Sequence, residues 1–158
     1  MYKILLFDDR PQVRISLEES FKSRGMDVFA CKSIYEANDK WDDHRDELDA
    51  IVIDMMIPSS GLNEPLRQKT GGGLLSGWVW LWHALNPKNE HPHPAADKCI
   101  VIYSAYLDDF DKYIKSNKPS EEEKKFADCV KLIPKDNSNK ENEVVTHLID
   151  DCGKRGKL

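Results

Sequence analysis

The sequence has no apolar run long enough to cross a bilayer. Its longest mostly apolar stretch, Leu74 to Leu85, is interrupted by Gly77 and His83 and falls short of the roughly 20 residues a spanning helix needs. Nor is there an excess of positive charge. Lys and Arg total 23 against 28 Asp and Glu, giving a net charge of −5 and a pI near 5.5. A surface that neutralises nucleic-acid phosphates needs clustered basic residues, so direct nucleic-acid binding is not expected. The four cysteines, Cys31, Cys99, Cys129 and Cys152, include no CxxC pair and no regular spacing. They read as buried thiols in a reducing, cytoplasmic compartment. The opening residues MYKILLFDD lack the regions of a signal peptide. Internal repeats and low-complexity tracts are also missing.

What remains is an ordinary globular composition. The 158 residues are 40% hydrophobic and 32% charged, enough for one domain with a real core. Five short β-rich apolar runs recur along the chain: Lys3–Phe7, Asp27–Cys31, Ala50–Ile53, Cys99–Tyr103 and Val130–Ile133. Bounded by polar segments, they read as buried strands of a parallel sheet. Helix signals fill the gaps. Pro11 suits a first turn, Val13, Leu17 and Phe21 follow at helical spacing, and Gly25 can end the helix. Capping boxes are predicted at Ser33/Glu36, Ser120/Glu123 and Ser138/Glu141, the last with Gly153 as a stop. Leu74, Leu75, Trp78, Leu81, Trp82 and Leu85 form one apolar stripe, and Leu107, Phe110 and Ile114 another. The alternation predicts an α/β fold, a five-stranded parallel sheet with helices on both faces.

In such sheets ligands bind at the carboxyl ends of the strands. The residues found there are Asp8 and Asp9 after the first strand, Asp54 after the third, Ser104 after the fourth and Lys135 after the fifth. Three converging carboxylates repel one another and need a cation or a retained proton. An all-oxygen donor set with room for water suits Mg²⁺. Asp54 could then attack a phosphoryl group as a carboxylate nucleophile. Ser104, Lys135 and the metal would each face one phosphoryl oxygen, neutralising charge where positioning and electrostatics do most of the work.

The acid pair after the first strand, IVIDMMIP around Asp54 with Pro58 four residues on, IVIYSA ending in Ser104 and Ala105, and the lysine of LIPKD together resemble response-regulator receiver domains. The resemblance covers essentially the whole chain. It implies the flavodoxin-like (βα)5 receiver fold with strand order 2-1-3-4-5. It also implies that Asp9 and Asp54 bind Mg²⁺ directly, Asp8 through water, and the backbone carbonyl of Met56 as a further ligand. Asp54 would accept phosphate from a histidine kinase, a phosphotransfer protein or a small phosphodonor, with Ser104 and Lys135 holding the phosphoryl group. Such a domain catalyses only its own phosphorylation and dephosphorylation and passes its state to a protein effector. The bulk of Met56 and Tyr106 near the acyl phosphate would slow its hydrolysis.

Several features depart from that pattern. Asp54 and Ser104 are 104 − 54 = 50 positions apart, longer than usual. The excess falls in an insert of about 59–75, expected to loop over the mouth of the site, and around NPKNEHPHPAADK; a further segment lies at about 116–128. Gly71–Gly73 reads as a hinge or lid within the insert. Leu132 stands where many receivers carry a switch aromatic, for which Tyr103 or Tyr106 could substitute, and Asp136 follows the lysine in place of proline. The chain ends at Leu158, as either a stand-alone receiver or a piece of something larger. Two rival functions remain: an interaction module that keeps the fold without the chemistry, and an aspartyl phosphatase. The second lacks its usual acid two positions beyond Asp54, where Met56 stands. His91 and His93, near His83, read as a polar loop rather than a metal site. Trp80 points off the apolar stripe and is either an interface residue or covered by the insert. The charges from Glu121 to Lys125 read as a solvated helix face.

Overall fold

A computed structural model describes residues 1–136 and 140–152. Ser138 of the predicted third capping box, and Gly153, lie outside the described residues. Five strands, β1 (Lys3–Phe7), β2 (Asp27–Cys31), β3 (Ala50–Ile53), β4 (Cys99–Ser104) and β5 (Val130–Pro134), form one all-parallel sheet. Its order is β2-β1-β3-β4-β5, as the resemblance implied. Every strand begins where the apolar runs predict, and β4 and β5 each extend one residue further.

Two cores fill the two faces, because successive strand residues point to opposite sides. Leu6, Val52, Val101 and Tyr103 face Leu17 and Phe21 of α1 (Pro11–Lys22) and Val144, Val145 and Leu148 of α7 (Glu141–His147, continuing as a π-helix Leu148–Cys152). Leu5, Phe7, Ile53 and Ile102 face α2 (Ile34–His44) and α4 (Ser76–Val79, continuing as a π-helix Trp80–Ala84). α5 (Leu107–Lys115) and α6 (Glu121–Asp128) add Phe110 and Phe126 to this face. Ser33 and Ser120 cap α2 and α6 as predicted, accepting from the backbone N–H of Glu36 and Glu123.

The insert is built structure rather than bare loop. It contains a 3-10 turn at Ser59–Gly61, a short α3 (Glu64–Arg67) capped by Asn63, and a glycine turn in which Gly71, Gly72 and Gly73 all have positive φ. The Thr70 hydroxyl accepts from Gly73 N–H and donates to the Arg67 carbonyl, closing that turn. The insert is anchored to α2 through the Tyr35 hydroxyl, which donates to the Ser60 carbonyl at 2.8 Å.

Three residue readings change. Trp80 is fully buried: it packs edge-on against Phe7, with ring centroids 5.6 Å apart, and its Nε1–H donates to Asn38. The β1 side chain Phe7 and Asn38 of α2 meet it, which rules out an exposed interface role. Glu123 is buried within an otherwise solvated charge run, accepting from Trp78 Nε1–H and the Tyr113 hydroxyl. His93 is a core histidine, not part of a polar loop. It accepts from Ala95 N–H at Nδ1, donates from Nε2 to the Trp82 carbonyl, and stacks on Trp82. Burial lowers its pKa and keeps it neutral.

The cysteines are not all thiols. Cys99 and Cys152 form a disulfide, their Cα atoms 5.9 Å apart, while Cys31 is a buried free thiol and Cys129 an exposed one. Spacing could not show the pairing, since the start of β4 and the end of α7 meet only when the sheet is covered. A link across a separation of 53 residues restricts the unfolded chain considerably. Cys152→Ser is expected to lower the unfolding free energy by about 2–4 kcal/mol, read as a shifted urea midpoint by tryptophan fluorescence.

Candidate functional site

Strand register builds the site. Phe7 pairs with Ile53 across β1 and β3, so Asp8 and Asp54 leave the sheet side by side. Ile53 pairs with Ile102, which sets Ser104 just beyond the level of Asp54. Ser104 pairs with Pro134, and Lys135 N–H donates to the Ser104 carbonyl, so the lysine departs from the adjacent edge. Asp54 N–H donates to the Phe7 carbonyl and Asp8 N–H to the Cys31 carbonyl, continuing the ladder past the strand ends.

The lysine crosses back to the carboxylates. Lys135 Nζ lies 2.7 Å from Asp8 Oδ2 and 2.9 Å from Asp54 Oδ2. Asp8, Asp54 and the lysine side chain are all largely withdrawn from solvent, whereas Asp9 is exposed. Each of Asp8, Asp9 and Asp54 offers a carboxylate oxygen within 4.8 Å of the others. Burial pushes the Asp8 carboxyl above its ordinary pKa, while the Lys135 ammonium pulls it back. Arg10 N–H donates to Asp8 Oδ1 and fixes the carboxylate's orientation.

The remaining predicted residues sit around this pair. Ser104 is fully buried, and its hydroxyl oxygen accepts from Tyr106 N–H at 3.1 Å. Met56 is 40% exposed, and its N–H makes a long 3.4 Å contact to Asp54 Oδ1. Tyr103, named in place of the missing aromatic, is buried with Lys135 Nζ 5.3 Å from its ring centroid, within cation–π range.

Two supporting residues carried no signal of their own in the sequence. The hydroxyl of Ser76 donates to the Ile57 carbonyl at 2.6 Å and accepts from Ile57 N–H at 2.9 Å, pinning the chain just after Asp54. A Cβ on Gly77 would lie 2.1 Å from the Asp54 carbonyl oxygen, so only glycine lets α4 approach the acceptor this closely.

The ammonium is what makes two buried carboxylates tolerable. Removing one partner of a buried ion pair leaves uncompensated charge. Lys135→Met is therefore expected to destabilise the protein by about 3–5 kcal/mol, measured by urea unfolding at neutral pH in metal-free buffer. Loss below 1 kcal/mol would show that the carboxylates need no counter-ion.

No family model and no curated protein matches the chain. Solved structures do. A response-regulator receiver domain protein from Clostridium thermocellum is 16% identical with a TM-score of 0.60, the match covering 100% of this chain and 98% of that one. The receiver domain of Francisella response regulator 1452 is 20% identical, TM-score 0.57, covering 99% and 100%. The response regulator TrrA from Thermotoga maritima, in complex with Mg²⁺–BeF, is 22% identical, TM-score 0.54, covering 94% and 99%. With the strand order and the parallel sheet, these likenesses show that the chain has the fold of the response-regulator receiver domains.

Proposed function

We propose that this protein is a phosphorylation switch, a receiver that accepts a phosphoryl group on Asp54 in a Mg²⁺-dependent reaction within two-component signalling. The observation that carries this reading is the strand-end charge cluster, in which Asp8, Asp9 and Asp54 converge and Lys135 Nζ reaches both buried acids. The Mg²⁺–BeF complex of the similarly folded TrrA supports the metal and the site by analogy of fold.

The donor set suits the ion. Three carboxylates within 4.8 Å are hard oxygen ligands, one of them exposed, so solvent can complete the shell of a cation that sheds water reluctantly. Asp8, Asp9 and Asp54 would hold it, with the Met56 carbonyl as the further ligand that the resemblance implies. Bound there, Mg²⁺ supplies charge neutralisation for the incoming phosphoryl oxygens.

The protein groups divide the remaining work. Lys135 holds Oδ2 of Asp54, which leaves Oδ1, with its one long contact to Met56 N–H, as the attacking oxygen. Attack forms an O–P bond as the bond from phosphorus to the donor's leaving group breaks. Lys135 then pairs with the transferred group's charge. Ser104, whose oxygen already accepts from Tyr106 N–H, keeps its own proton to donate to a phosphoryl oxygen. The added phosphate brings up to about two negative charges, drawing Ser104 and Lys135 toward it and shifting the surface of β4, β5 and their helices. A histidine kinase or phosphotransfer protein is the donor that fits, with a protein effector downstream and the cytoplasm as the compartment.

Incubation with acetyl phosphate or phosphoramidate and Mg²⁺ is expected to add one phosphoryl group by intact mass, abolished in Asp54→Ala and by chelation. No gain in wild type would leave a receiver-fold interaction module. Replacing Met56, exposed beside the acceptor, by Glu or Asn is expected to shorten the acyl phosphate's lifetime several-fold, because a polar side chain can position the hydrolytic water. An unchanged decay of labelled phosphate would assign the lifetime elsewhere.

A further inference from the structure

At the opposite end of the sheet from Asp54 lies a second cluster of chemically capable side chains. Cys99 opens β4, Cys152 ends the π-helical turn of α7, and His147 is one turn before it. One ligand atom from each lies within 4.8 Å of the others. Both cysteines are about 4% exposed and His147 is half-buried. A cavity of about 180 Å³ opens beside them and is lined also by Cys129 and Asp128, so three of the chain's four cysteines meet at one place.

The histidine ring is held by a carboxylate on its own helix. Its Nδ1 lies 2.7 Å from Asp151 Oδ2. An ionised carboxylate can only accept, so Nδ1 carries the proton and the neutral ring keeps its lone pair on Nε2. A carboxylate behind a histidine is the usual support for a metal-bound imidazole, fixing tautomer and ring orientation.

We infer that Cys99, His147 and Cys152 form a zinc site in the reduced protein, an alternative to the disulfide that joins the two cysteines. Two thiolates and an imidazole are a soft donor set that prefers zinc to magnesium. Bonds of about 2.0–2.3 Å place tetrahedral ligand atoms roughly 3.3–3.8 Å apart, so once the S–S bond is broken the two sulfurs must draw apart to that spacing, while the imidazole already lies within 4.8 Å of them. All three residues line the cavity, from which water could supply a fourth ligand. The set differs in kind from Asp8, Asp9 and Asp54, so the two sites take different ions.

The two states interconvert with balanced chemistry. A dithiol or a phosphine with water supplies two electrons and two protons, breaking the S–S bond and leaving two thiols. Zinc then displaces those two protons with no change of oxidation state. In a reducing compartment, where disulfides are rare, the metal takes over the disulfide's role of fastening α7 to the start of β4. That strand runs on to Ser104, about 17 Å away at roughly 3.3 Å per residue.

The test uses the whole protein, reduced with a phosphine, desalted without oxygen and titrated with Co²⁺ in excess Mg²⁺ to occupy the carboxylate site. One equivalent is expected to bind with a near-ultraviolet thiolate charge-transfer band and the intense visible bands of a tetrahedral ion, and zinc should bleach both. The oxidised protein should give neither. Cys152→Ser should lose the charge-transfer intensity while retaining native circular dichroism. Asp151→Asn, an exposed change, should keep the spectrum but weaken affinity about 10–100-fold. A reduced wild-type protein without the thiolate band would overturn the inference. So would an undiminished band in Cys152→Ser, because Cys129 would then be the ligand.

Discussion

The Lys135 ammonium, shared between Asp8 and Asp54 at 2.7 and 2.9 Å, is the contact on which the carboxyl end of the sheet depends. Two carboxylates this deeply withdrawn from water would otherwise have to take up a proton, and the raised pKa of Asp8 records that pressure. In the strand order one strand, β4, lies between β5 and β3, and two, β4 and β3, lie between β5 and β1, so the long lysine side chain crosses the sheet's carboxyl edge to reach both acids. Register across three strand pairs thus becomes an electrostatic requirement as well as a packing one.

Hydrophobic burial supplies the rigidity behind that arrangement. β1, β3 and β4 are nearly continuous apolar runs buried on both faces, as expected of central parallel strands. α4 goes further, with Trp78, Val79, Trp80 and Leu81 all buried. Its head presses against the chain leaving β3, through Gly77 against the Asp54 carbonyl and Ser76 against Ile57. The switch from α- to π-helix at Trp80 lets tryptophans at positions 78, 80 and 82 all find apolar neighbours. Such widened turns recur at functional sites.

The two ends of the sheet carry opposite chemistries. At the carboxyl ends, hard oxygen ligands meet an ammonium, all but Asp9 largely withdrawn from solvent. At the amino end of β4, two sulfurs and an imidazole collect where the end of α7 meets the strand. α7 connects with both: Ser16 of α1 donates to Glu141 at its start, and Cys152 at its far end is tied to Cys99. A change at Cys99 therefore acts on the helix that covers one face of the sheet.

How much was legible in the sequence follows from how local each feature is. Five apolar runs, two of the three predicted caps and the strand-end acids could be read because they depend on neighbours in the chain: strand period, a hydroxyl three residues before the N–H that donates to it, a polar residue where an apolar run stops. The order of Asp8, Asp9, Asp54, Ser104 and Lys135 along an α/β alternation was enough to suggest their convergence. Burial of Glu123, His93 and Trp80 was not legible, since each is made tolerable by a partner far along the chain. Tyr113 and Trp78 serve Glu123, Trp82 serves His93, and Asn38 serves Trp80. The meeting of Cys99, His147 and Cys152 is of the same kind. Sequence alone determined the strands, the sheet class and the candidate acids, because periodicity and strand ends are local. Tertiary structure alone decided which charges are paired, which polar groups are buried and which cysteines meet, because those depend on the packing of separate elements.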